Sequence, residues 1–113
     1  MAIQTQQRSD SLNIVLECFK VCEQCANECI DQQSPGLAQC IKLCQICADI
    51  CILCVKCVTS GLAQTQQICA ACAAICEACA TECEKVQTQT ATMRQCVEVC
   101  RKCAAVCRQM GTA

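Results

Sequence analysis

The sequence predicts an all-α protein: an up-down-up-down four-helix bundle with a cysteine-lined core, built from an internally duplicated αα-hairpin. Three observations predict it. Nineteen of the 113 residues are cysteine, and they recur at steps of three and four, the spacing that puts side chains on one face of an α-helix. The steps fall into four runs separated by Pro-Gly, Ser-Gly and polar β-branched breaks. The first two runs return as the last two. Cys22-Glu23-Gln24-Cys25-Ala26-Asn27-Glu28-Cys29 matches Cys76-Glu77-Ala78-Cys79-Ala80-Thr81-Glu82-Cys83 54 positions on, and Cys40, Cys44, Cys47 and Cys51 match Cys96, Cys100, Cys103 and Cys107 56 positions on. A doubled hairpin of this kind closes into a bundle.

The chain is read as one domain, 1–113. Helix 1 is expected over about 11–32: Ser9, Asp10 and Ser11 offer N-caps before an apolar run, and Cys18, Cys22, Cys25 and Cys29 form its stripe. Helix 2, about 35–58, is expected to open with Ser34 as N-cap and Pro35 in its first turn. It carries Cys40, Cys44, Cys47, Cys51, Cys54 and Cys57. After the break at Thr59-Ser60-Gly61, helix 3 is expected over about 62–86 with Cys69, Cys72, Cys76, Cys79 and Cys83. The polar stretch from Gln87 to Thr92 reads as a linker that supplies a threonine N-cap. Helix 4, about 91–110, carries Cys96, Cys100, Cys103 and Cys107, with Gly111 as its stop. The repeat sets Met93 against Leu37 and Met110 against Cys54, so the two methionines extend the fourth stripe at its two ends.

Composition narrows the function. Phe19 is the only aromatic residue, so cysteine has taken the positions of the usual core anchors; as a free thiol it packs like a small hydrophobe, and the metal-free chain can fold. Net charge is −1 with no basic patch, which argues against nucleic acid. No apolar run approaches the roughly eighteen residues of a membrane span. Residues Met1 to Arg8 are polar, with no hydrophobic region and no twin arginine, and a cytoplasmic location is expected. Thiols stay reduced there. The odd cysteine count also leaves one unpaired, and neighbours on one helical turn, ~5–6 Å apart at Cβ, are too far apart to bridge readily. No enzyme is expected: histidine is absent, the acids Glu23, Glu28, Glu77, Glu82, Glu84 and Glu98 fall off the stripes, and rows of thiols are unlike one activated nucleophile.

Inward rows of thiols suit soft metal ions. Isolated four-sulfur zinc sites would number fewer than five, from roughly nineteen ligands taken four at a time, and would leave excess negative charge buried. Iron–sulfur clusters need four-cysteine cages but no unbroken stripe. A zinc- or iron–sulfur-binding bundle with a redox or buffering role is the alternative reading. Copper(I) is monovalent and accepts two or three sulfurs. With each thiolate bridging two ions, metal and sulfur balance near one to one, about 19 Cu(I) per chain, and the core becomes neutral. Storage or detoxification of Cu(I) on all the cysteines of a prefolded bundle follows, with loading weakened by acid. Met93 and Met110 are further candidate ligands, or gap-fillers of the core.

Four consecutive cysteine stripes with a repeated Cys-Glu-x-Cys-Ala-x-Glu-Cys signature resemble the copper storage proteins over nearly the whole chain, from about Cys18 to Cys107. The resemblance implies a small bundle that assembles as a homotetramer and holds many Cu(I) ions in each subunit, and it is to the cytosolic branch. Family members commonly carry histidines at the mouth of the bundle, which this chain lacks. Helix 2 also has more apolar surface than its stripe needs: Leu43, Ile46, Ile50 and Leu53 on one flank, and Ile41, Ile52 and Val55 on the other. These residues either widen the helix–helix seams within the chain or form a subunit interface; because helix 4 is polar at the matching positions (Glu98, Arg101, Lys102), the interface is the favoured reading. Of the two bundle ends, Leu12, Val15, Leu16 and Phe19 are expected to plug one. The other, at Asp31–Ser34 and Lys85–Thr92, is taken as the mouth, where Met93 passes copper to Cys29, Cys40, Cys83 and Cys96.

Overall fold

The computed structural model describes residues 5–112; Met1–Gln4, half of the polar N-terminal segment, lie outside the described residues. Four helices form, α1 (Thr5–Gln32), α2 (Ala38–Ser60), α3 (Thr65–Glu84) and α4 (Ala91–Thr112). Their short connections, 33–37, 61–64 and 85–90, turn each helix back along the one before. Each helix packs on its two ring neighbours, α1 on α2, α2 on α3, α3 on α4 and α4 on α1, giving a rod of 46 × 21 × 18 Å. Buried alanines (Ala26, Ala48, Ala73, Ala80 and Ala104) sit one position after a stripe cysteine. Their small side chains keep the helix seams tight, so the sulfurs reach one another across the axis.

Several helix ends differ from the sequence reading, each for a local reason. α1 begins at Thr5 rather than near residue 11. Gln6, Gln7 and Arg8 are good helix formers, and Gln6 Nε2 donates to Asp10 Oδ1 at 3.0 Å, so the helix starts ahead of the would-be cap, and Ser11 is a buried helical residue, 4% exposed. Ser34 is not the N-cap of α2, and Pro35 is not in its first turn. Gly36 takes φ +88°, a left-handed value that a Pro-Gly turn favours and a helix cannot hold. Leu37 is therefore the N-cap, its carbonyl accepting from Ile41 N–H at 2.9 Å. α2 ends on Gly61 at φ +67°, whose N–H donates to Cys57 O and Val58 O. A residue with a Cβ there would cost about 1–2 kcal/mol.

α3 starts at Thr65 instead of residue 62 because Leu62–Thr65 is a turn: Thr65 N–H donates to Leu62 O at 3.1 Å, and its hydroxyl donates to Cys57 O at 3.0 Å. It ends at Glu84 instead of 86, where Lys85 and Val86 N–H groups bond three residues back and Gln89 Nε2 donates to Cys83 O and Val86 O at 2.8 and 2.6 Å. The threonine cap of α4 is Thr90, whose hydroxyl accepts from Met93 N–H at 3.1 Å. Gly111 does not stop α4, which continues through Thr112. An added Cβ at Gly111 would lie 3.2 Å from Cys69 Cβ, so this glycine serves a close approach of α4 to α3.

Outside the core, Arg101 links to Glu77 and Glu84, and Arg108 to Glu77 at 3.2 Å. These exposed pairs join α3 to α4 and contribute little, up to ~1 kcal/mol each. Ile46 and Leu53 of α2 are 51% and 44% exposed, while Leu43 and Ile50 beside them and Ile41, Ile52 and Val55 on the other flank are half-buried. Ile46 and Leu53 therefore face outward, while Leu43, Ile50, Ile41 and Val55 pack against the core. Leu16, expected as part of a plug, also points outward at 41% exposure; of that group Val15 alone is fully buried.

Candidate metal centre

The helical period aims all nineteen cysteines inward. Every one is free and buried, and the most accessible, Cys57, is only 5% exposed. The single buried polar residue among those described is Ser11, so no lysine or arginine supplies a counter-charge within the core.

The sulfurs form a continuous column. Nearest the 85–90 connection, Cys40 and Cys83 are 3.0 Å apart. Cys44 then lies 3.6 Å from Cys79 and 3.8 Å from Cys83, followed by Cys47–Cys76 at 3.6 Å and Cys22–Cys100 at 3.6 Å. Farther along come Cys18–Cys100 at 3.8 Å, Cys51–Cys103 at 3.9 Å and Cys54–Cys69 at 3.7 Å. Cys44–Cys96, Cys51–Cys103 and Cys54–Cys107, at 4.0, 3.9 and 4.0 Å, join α2 to α4 diagonally across the axis. Side chains thus bridge helices whose backbones are not ring neighbours.

Several groups of sulfurs lie within 4.8 Å of one another, among them Cys18/Cys47/Cys51/Cys76, Cys18/Cys22/Cys47/Cys100, Cys22/Cys79/Cys96/Cys100, Cys25/Cys40/Cys44/Cys83 and Cys44/Cys79/Cys83/Cys96. Such separations also fit the edge of a zinc–sulfur tetrahedron, ~3.8 Å for 2.3 Å bonds, so distance alone does not choose the metal. Sharing does. Cys18, Cys22, Cys44, Cys47, Cys79, Cys83, Cys96 and Cys100 each belong to two of these groups. A sulfur held in common is placed to bridge two ions, and bridged thiolates with univalent ions keep a core without counter-charges neutral.

Burial sets the protonation of the empty core. It pushes the Cys29 thiol up to about 11, with the charge of Cys40 adding to it, and it pushes Cys69 up as well. Within the column, sulfur–sulfur hydrogen bonding splits neighbours: the contact with Cys100 holds Cys18 and Cys96 down and Cys22 up. Protons are shared along a chain of thiols, and an incoming metal ion must displace them.

The two ends differ. Leu37, 5% exposed, and Met93, fully buried, lie one turn beyond Cys40 and Cys96 and fill the end at the 85–90 connection. The cavity of about 330 Å³ outside them, lined by Gln32, Pro35, Lys85 and Thr88 among others, contains no cysteine. Leu37 and Gln89 carried no motif that sequence reading could use. The role of Gly111 had one available signal, its place four residues after Cys107 on the stripe.

A family profile described as copper storage protein matches residues 4–112. Apo-Csp3 (copper storage protein 3) of Bacillus subtilis is 38% identical and superposes with a TM-score of 0.80, over 89% of this chain and 95% of that one. A Cu(I)-bound copper storage protein, BsCsp3, is 36% identical with a TM-score of 0.85, over 93% and 98% of the two chains. The copper storage protein Ccsp of Streptomyces lividans, in a structure loaded with 10 copper equivalents, is 29% identical with a TM-score of 0.83, over 95% and 85%. No curated protein matches the chain significantly.

Proposed function

The chain belongs to the copper storage protein family, and from that premise we propose that all nineteen cysteines are its Cu(I) ligands, loaded near one ion per thiolate. The protein stores Cu(I) and binds multiple ions per chain. The observation that carries the residue assignment is the overlap of the sulfur quartets, in which eight thiols belong to two groups at once. Met93 is buried without exposure, which supports a packing role for it. None of the acidic residues is buried, and we read the protein as a store with no catalytic function.

The assignment is tested by counting protons. Loading should release about one proton per Cu(I) in weakly buffered medium, and apparent affinity should fall about tenfold per pH unit of acidification while each bound ion displaces one proton. Release well below one proton per ion would mean that other ligands hold the metal.

The row of exposed Ile46 and Leu53 on α2 supports a homotetramer. Sedimentation should give a mass near four times 12.2 kDa and a monomer for Ile46→Glu/Leu53→Glu; a monomeric native chain would refute it. No helix among the described residues is long and apolar enough to cross a membrane. We place the protein in the cytoplasm because so many adjacent free thiols need a reducing compartment; its recovery outside that compartment on cell fractionation would overturn this.

A further inference from the structure

The end of the bundle opposite Leu37 and Met93 is built differently. There α1 contributes no sulfur; its inward positions are Ser11 and Val15. Cys54, Cys57, Cys69 and Cys107 come from the other three helices, and Cys57 is the most exposed thiol in the protein at 5%. A surface pocket of about 280 Å³ opens between the first turns of α3 and the last turns of α4, lined by Gln66, Ala70, Arg108, Gly111 and Cys107. A core thiol thus forms part of its wall. The volume equals roughly nine waters at ~30 Å³ each, room for a small thiol and too little for a folded domain.

Three features suit this pocket to passing a soft cation. Gly111 presents no side chain where any Cβ would crowd Cys69 at 3.2 Å, so α3 and α4 approach closely beside Cys107, whose own side chain is fully buried behind the pocket wall. The Arg108 guanidinium is drawn to Glu77 at 3.2 Å and is held by that carboxylate. Met110, three residues beyond Cys107 on the same stripe and 7% exposed, offers a thioether one helical turn from Cys107. From Cys107 the column leads inward at once, through Cys103 at 3.9 Å and Cys54 at 4.0 Å.

We propose that Cu(I) is loaded and withdrawn through this side port between α3 and α4, with Cys107 the first thiolate to receive it and Met110 a transient soft ligand. The proposal rests on the storage reading and concerns only the route. The step is ligand exchange with a Cu(I) complex of a small thiol. The copper bond to the donor sulfur breaks, a bond to Cys107 Sγ forms, and the Cys107 proton leaves on the departing thiol. Copper remains univalent throughout, so no oxidant or reductant is needed. Repetition of the exchange at Cys54 and Cys103 carries the ion toward the axis, and reversal releases it.

The test separates rate from capacity. Ala70 is exposed on α3, so Ala70→Phe fills the pocket without entering the core; Ala70→Leu is a milder second variant, and helical circular dichroism confirms that each folds. Stopped-flow uptake from a Cu(I)–glutathione complex and removal by bathocuproine disulfonate are measured anaerobically. Ala70→Phe should slow both by about tenfold or more, and Met110→Leu, of similar volume, by a few-fold, with the final number of ions unchanged. Thr88→Phe, beside the opposite cavity, should leave the rates as they are. Rates within twofold of the native protein for both Ala70 variants, or slowing by Thr88→Phe instead, would overturn the port. A native protein that fills with only a few ions would instead sink the storage reading.

Discussion

Anaerobic titration of the reduced protein is expected to reach about 19 Cu(I) per chain, with helical circular dichroism already present before the first addition. The number follows from charge. Each buried thiol becomes an anion on binding, the core contains no basic side chain to offset it, and each univalent ion cancels one thiolate. The column has no partition that would confine filling to a few sites. Cys44 and Cys47 sharpen the test, because together they belong to all but one of the five quartets described above. In Cys44→Ala/Cys47→Ala, independent sites would lose two ions, whereas a shared lattice should lose about four or more as neighbouring bridges fail. Cys29→Ala/Cys57→Ala, at the two ends, should lose about two. Each alanine removes one buried sulfur and costs the empty bundle about 1 kcal/mol, within the stability of an ordinary domain. Saturation of the native chain at four or five ions would mean separate four-sulfur sites and would end the charge-balance argument.

The parts of this design that depend on helical period were legible in the sequence, and the parts that depend on packing were not. Steps of three and four place all nineteen thiols inward without reference to any partner helix, and Thr90 caps α4 through a bond to its own neighbour. Gly111 reads as a stop by local rules, yet its absent Cβ matters because Cys69, distant in sequence, lies against it. Pro35 looks like a first-turn residue until the left-handed φ of Gly36 is known. The diagonal contacts Cys44–Cys96 and Cys51–Cys103 arise from bundle geometry, and no spacing along one helix announces them. The character of the two ends belongs to the same class. Asp31–Ser34 and Lys85–Thr92 look open as a polar sequence, but buried Leu37 and Met93 fill the space behind them. At the other end Leu16 turns outward and a pocket reaches Cys107.

The empty and loaded proteins should respond to pH in opposite directions. In the empty bundle Cys29 is pushed up to about 11, chiefly by burial, and burial raises Cys69 too, whereas a thiol in the unfolded chain ionises near 8.5. At these two positions the folded state therefore retains protons that the unfolded state gives up. The stability these thiols contribute is complete below about pH 8.5, falls as the unfolded chain ionises, and for Cys29 is gone above about 11. Within that window each such thiol subtracts up to about 1.4 kcal/mol per pH unit. Copper reverses the sign, because in the loaded protein the sulfurs are already thiolates paired with cations and alkali has no proton to remove. Acid instead restores protons as competitors for sulfur and strips the metal. Urea midpoints measured anaerobically from pH 5 to 11 should fall with rising pH for the empty protein beyond about 9, and fall with decreasing pH for the loaded one. Parallel curves would show that the bound metal is not held by the thiols whose protons burial retains. Opposed curves would mean that the protons which burial retains on Cys29 and Cys69 are among those that copper displaces.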